Sequence, residues 1–90
     1  MIWTISFDEH ALKELKKLSK DIQYKIRNYL RDKVSPLSDP KLIGKKLQYE
    51  LSGLWRYRVD KYRIVCFIEE KTKTIIVLRI AKRDKVYRRL

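Results

Sequence analysis

Apolar and polar residues alternate with a period of two through the C-terminal half of this chain, most clearly over 54–82. Trp55, Tyr57 and Val59 alternate with Leu54, Arg56 and Arg58, and further runs rich in β-branched residues occupy 62–69 and 74–82. Strand geometry sends successive side chains to opposite faces, so this pattern separates an apolar face from an arginine face. Asp60-Lys61 between the first two runs has the length of a two-residue hairpin loop. That turn sets Val59 opposite Tyr62, Arg58 opposite Arg63 and Tyr57 opposite Ile64, and directly opposed residues share a face. Arg56, Arg58 and Arg63 then lie together, with Trp55, Tyr57, Val59, Tyr62, Ile64 and Cys66 on the other side. Ile75 and Val77 share a parity with Arg79 and Arg83. With a matching turn before them, those two arginines return beside Arg63 and Arg58, and the basic cluster draws on three strands.

The N-terminal half has a different period. A short β-rich run at 2–7 precedes Asp8, a good N-cap, and then Ala11, Leu12, Leu15 and Leu18 recur at helical spacing. Ser19 caps a second helix whose apolar stripe is Ile22, Ile26, Tyr29, Leu30 and Val34, and Ser35-Pro36 stops it. Pro40 after Ser38-Asp39 opens a helical turn. Leu47, Tyr49 and Leu51 alternate over 44–51 and predict a strand, with Ser52-Gly53 as its turn. The order β-α-α-β-β-β-β describes an α+β domain. Its N-terminal strand and helical hairpin pack on an antiparallel β-sheet, leaving the other sheet face free. Residues 1–90 form a single domain on this reading, without repeats.

Charge sharpens the picture. The 90 residues carry a net charge of +12, and fourteen of the 23 basic residues fall within 44–90. A field of that sign and size attracts nucleic acid, an anionic surface or an acidic protein. Setting Arg58 against Arg63 costs stability, which points to an anionic partner, although solvation of an exposed sheet face is the simpler reading of the arginines alone. One cysteine, Cys66, leaves no intramolecular disulfide and no cysteine-rich zinc site, and its position on the apolar face makes it a core thiol. No secretory signal or transmembrane run is present, so the expected compartment is the cytoplasm.

Several familiar catalytic sets are missing from the chain. His10, in the first turn of the first helix, is the single histidine, so a two-histidine acid–base pair is excluded. The carboxylates form no evident pair for a metal-dependent route, and no metal or small-molecule cofactor is implied. The arginine face itself is suited to binding phosphate.

Three segments carry a family resemblance: the opening WTISFDEHALKELKKL, the central LSGLWRYRVDKYRIV and the closing RIAKRDKVYR. Together they resemble the RelE/ParE superfamily of toxins from type II toxin–antitoxin pairs, and the RelE branch is similar at the functional positions. The resemblance implies a ribosome-dependent endoribonuclease, metal-independent, that cuts mRNA in the ribosomal A site and so inhibits translation. It also implies a cognate acidic antitoxin, RelB-like, that wraps the toxin. In the family pattern, two basic residues at i and i+2 act near the scissile phosphate and match Arg56 and Arg58. Some members carry lysines there. An arginine on the next strand matches Arg63, the one serving the leaving group matches Arg83, and the tail tyrosine that stacks on a base matches Tyr87. Lys82 and Lys85 are candidates for RNA backbone contacts. The alternative within the superfamily is a non-catalytic ParE-type toxin that inhibits DNA gyrase. A passive RNA-binding module is a third reading.

Overall fold

A computed structural model describes residues 2–82. It contains strand β1 (Thr4–Phe7), helices α1 (Glu9–Lys16) and α2 (Lys20–Tyr29), and strands β2 (Lys45–Lys46), β3 (Trp55–Val59), β4 (Tyr62–Glu69) and β5 (Thr74–Lys82). The two helices lie on one face of a five-stranded sheet of order β1-β5-β4-β3-β2. This is the expected α+β architecture. The sheet is antiparallel except at its first edge, where β1 runs parallel to β5 with Thr4 beside Thr74 and Phe7 beside Val77.

Local chemistry accounts for the helix ends. The Asp8 carboxylate accepts from the His10 N–H at 2.8 Å and the Ser19 hydroxyl from the Ile22 N–H at 3.3 Å, each satisfying a donor that a first helical turn leaves orphaned. After α2 the chain winds through one wider turn, Leu30–Val34, before Ser35-Pro36 ends it. Ser35 then ties this end to the start of β1: its hydroxyl donates to the Trp3 carbonyl at 2.6 Å, and the Trp3 N–H donates to its carbonyl at 2.9 Å. Pro40 opens a 3₁₀ turn, Pro40–Ile43, as expected.

The core lies between the helices and the near face of the sheet. Ala11, Leu15, Ile26, Leu30 and Val34 meet Tyr57, Ile64, Cys66, Ile75 and Val77 there, and burying side chains of this size stabilises by about 1.5–3 kcal/mol each. Tyr57 carries the one polar handle in this layer, and its hydroxyl donates to the Pro40 carbonyl at 2.6 Å. Burial, helped by Cys66, Tyr29 and Asp39, holds that phenol well above its ordinary range. Gly44 packs closely beside it: a Cβ there would stand 3.1 Å from the Tyr57 ring and would have to push the ring aside by a few tenths of an ångström.

The strand predicted over 44–51 forms only at its start. Its ladder with β3 covers Lys45–Lys46, and Tyr49–Leu51 is a 3₁₀ turn. The Leu47, Tyr49, Leu51 alternation imitates a strand, but Tyr49 has φ 57° and breaks the extended backbone. A left-handed backbone costs a non-glycine residue about 1–2 kcal/mol.

Candidate functional site

The β3–β4 hairpin adopts the register read from its sequence: Val59 opposite Tyr62, Arg58 opposite Arg63, Tyr57 opposite Ile64. Asp60 turns the corner with φ 58°, a conformation aspartate tolerates better than most residues. Trp55, Tyr57, Val59, Tyr62, Ile64 and Cys66 accordingly belong to or pack against the core, and the three arginines take the far face. Cys66 is fully buried and burial pushes its thiol up, which makes it an inert core side chain.

Register across the sheet organises the far face into two adjacent rows. One row reads Lys45, Arg56, Val65, Arg79 from β2 to β5, and the next reads Arg58, Arg63, Ala81 from β3 to β5. Neighbouring strands lie about 4.8 Å apart, so these backbones bring four arginines and a lysine into one compact patch. Their exposure differs. Arg58 and Lys45 are exposed, Arg56 is half-buried, Arg63 is 6% exposed and Arg79 8%. Neither Arg56 nor Arg58 forms an ion pair among the described residues, and the Arg56 Nε is buried without a hydrogen-bond partner among them. A buried charged donor left without an acceptor is costly, and an incoming anionic oxygen removes that cost.

Arg79 has a different occupation. A β-bulge shifts the β4–β5 register between Val65 and Cys66: Cys66 pairs with Val77, Val65 with Arg79. The extra residue, Leu78, moves Arg79 off the parity of Ile75 and Val77 and into the row of Arg56. There its Nε and Nη2 donate to the Glu14 carboxylate on α1 at 3.0–3.2 Å, and Glu14 Oε1 also accepts from the Ile80 N–H at 2.7 Å. Because β1 ends at Phe7, this edge of β5 has no neighbouring strand beyond Val77 among the described residues, and Glu14 supplies an acceptor there. His10, exposed one turn before, stands 3.8 Å from the same carboxylate. Arg79 is therefore a structural cation, neutralised within the fold.

The other sequence candidates separate. Lys82 is exposed at the end of β5 opposite Tyr62, so its parity is that of the helix-covered face and not of the arginine rows. Arg83, Lys85 and Tyr87 lie outside the described residues. Sequence reading had not included Lys45, whose place opposite Arg56 extends the basic row to the sheet edge. Nor had it paired Glu14 with Arg79, 65 positions apart. Among the described residues, no three His, Cys, Asp or Glu side chains converge to hold a metal ion, and no helix is long and apolar enough to cross a membrane.

Comparison with known proteins gives these features a lineage. Residues 5–87 match the family model for the ParE toxin of the parDE type II toxin–antitoxin system. The chain is 30% identical to toxin RelG of Mycobacterium tuberculosis over 89 residues, covering 99% of this chain and all of that one. It is similar to a chain in the crystal structure of the toxin–antitoxin complex RelBE2 from the same organism. The TM-score is 0.83 at 28% identity, over 92% of this chain and 93% of the other. It shares the fold of a chain in the intact Escherichia coli RelBE toxin–antitoxin complex, with TM-score 0.66 and 20% identity over 89% of this chain and 95% of that one. With the helical hairpin on its five-stranded sheet, and with a family match over nearly its full length, the chain belongs to the RelE/ParE superfamily as a RelE-like toxin of a type II toxin–antitoxin system.

Proposed function

We propose that this toxin is a metal-independent endoribonuclease that cuts mRNA in the ribosomal A site, with the arginine face acting on the scissile phosphate. The observation that carries this reading is the juxtaposition of Arg56, Arg58 and Arg63 in adjacent rows, with the Arg56 Nε lacking a partner among the described residues. Cleavage proceeds by in-line attack of the 2′-oxygen on the adjacent phosphorus. The 2′-hydroxyl proton passes to solvent, the P–O5′ bond breaks and the departing oxygen takes a proton from solvent, leaving a 2′,3′-cyclic phosphate and a 5′-hydroxyl. The guanidinium groups donate to the non-bridging oxygens as charge builds in the pentavalent transition state. Guanidinium groups have no lone pair to spare and are poor bases. A site of this composition gains most from a substrate already held in an in-line geometry, which the ribosome provides. Arg83 is assigned to the leaving 5′-oxygen, Tyr87 to stacking on a base at the cut, and Lys85 to the RNA backbone, whereas Lys82, on the helix-covered face, is left out of the site.

The partner that restrains it is a cognate acidic antitoxin covering the arginine face. The similar RelBE2 chain is described within a toxin–antitoxin complex, and the charge of +12 calls for an acidic inhibitor. A gyrase-directed toxin is the second reading, favoured by the match to the ParE model over residues 5–87. Primer extension on a defined mRNA in a purified translation system, with and without ribosomes, separates the two. Cuts within the A-site codon that require ribosomes are expected. Intact mRNA together with inhibited supercoiling by gyrase would transfer the protein to the second reading.

A further inference from the structure

Tyr49 combines two features that rarely occur together. Its backbone is left-handed, φ 57°, and its side chain is 90% exposed. A strained conformation persists where something requires it, and here burial of the ring gives the fold nothing in return. Glycine would hold the same turn without strain. Tyr49 also helps to line an open surface hollow of about 260 Å³ with Lys46, Leu47, Gln48 and Leu51. Its residue types offer an aromatic ring, aliphatic groups and one carboxamide able to donate and accept. The segment follows directly on Lys45, which pairs with Arg56 in the basic row, and the Leu47 N–H donates to the Leu54 carbonyl at 3.0 Å, which keeps it beside β3.

We propose that residues 46–51 form a nucleobase subsite for an RNA strand whose phosphates lie along the arginine rows. An unpaired base stacks on the Tyr49 ring, the Gln48 carboxamide meets the base edge, and Lys45, opposite Arg56, holds the neighbouring phosphate. The exposed lysines on the edge strand favour a polyanion over an apolar partner. The inference rests on RNA being the ligand of the arginine face, and it adds to that reading a second point of grip away from the cut. It places specificity for a flanking nucleotide in the connection between β2 and β3.

The test is fluorescence anisotropy of a labelled single-stranded RNA octanucleotide at low salt, with Tyr49→Gly, Tyr49→Phe, Lys45→Ala and Arg58→Ala beside the parent protein. Tyr49→Gly is expected to bind about tenfold more weakly while its melting temperature is unchanged or higher, since stacking is lost and strain is relieved. Tyr49→Phe, which keeps the ring, stays within about twofold. Lys45→Ala lowers the slope of log K against log salt by about 0.7, and Tyr49→Gly leaves that slope unchanged. Weaker binding in Arg58→Ala with none in Tyr49→Gly would overturn the subsite, leave the nuclease reading standing and give the Tyr49 surface to a protein partner. Absence of binding by the parent protein would also overturn the subsite, while primer extension on ribosomes decides the nuclease reading separately.

Discussion

The two faces of the β3–β4 hairpin are built from alternate residues of the same short segment, yet they differ in how their polar groups are satisfied. On the near face Tyr57, Val59, Ile64 and Cys66 are closed off by the helices, and the Tyr57 hydroxyl has its acceptor within the fold. On the far face Arg58 and Arg63 oppose each other and the Arg56 Nε lacks an acceptor among the described residues. Parity alone divides the residues that stabilise the domain from those available to a ligand. Arg79 marks the boundary: it stands in a basic row, but Glu14 neutralises it and it belongs to the stability side.

This contrast predicts that substitutions one residue apart will change different observables. The largest stability loss is expected on the near face. Ile64→Ala, at a fully buried position in the middle of the core, should cost about 4 kcal/mol in urea unfolding while leaving activity per folded molecule intact. Glu14→Ala should cost about 3 kcal/mol, because it strands the Arg79 guanidinium and the Ile80 N–H together. Glu14→Gln, which keeps an acceptor for Ile80, should recover part of that loss in the same titration. A Glu14→Ala protein as stable as the parent would move Arg79 to the ligand side of the comparison.

The smallest effect carries a pH signature. Tyr57→Phe removes one buried hydrogen bond and should cost about 1 kcal/mol at neutral pH. The phenol is raised in the folded state, so its contribution is complete below the unfolded value of about 10 and falls as pH rises above it. There the unfolded chain releases a proton that the folded chain retains, which favours unfolding. The parent should therefore lose stability above about pH 10 more steeply than Tyr57→Phe in pH-dependent thermal melts. Equal slopes would place the alkaline loss elsewhere.

How much of this was legible in the sequence depended on whether the signal was local. The hairpin register followed from alternation plus a two-residue turn, and with it the placing of Arg56, Arg58 and Arg63 on one face. Asp8 and Ser19 were readable as caps because capping chemistry is contained within four residues. The strand expected over 44–51 stops at Lys46, because alternation is necessary for a half-buried strand and not sufficient. Tyr49 adopts a turn conformation that aromatic residues seldom carry, so its residue type gave no warning. The bulge at Leu78 has no glycine to announce it, which is why Arg79 could not be placed by counting. The Glu14–Arg79 contact spans most of the chain and leaves no trace in local pattern. Lys82 was grouped with the site by proximity in sequence, but strand parity sends it to the other face.

The most direct test of the arginine face is single-turnover cleavage of mRNA on programmed ribosomes by Arg58→Ala, with Lys61→Ala in the adjoining turn as the charge-matched control. Arg58 is exposed and makes no ion pair or side-chain hydrogen bond among the described residues, so the variant should melt with the parent and cleave on the order of 10²–10³ more slowly, while Lys61→Ala keeps nearly the parental rate. Cleavage by a folded Arg58→Ala protein at the parental rate would contradict the assignment of this face to the reaction.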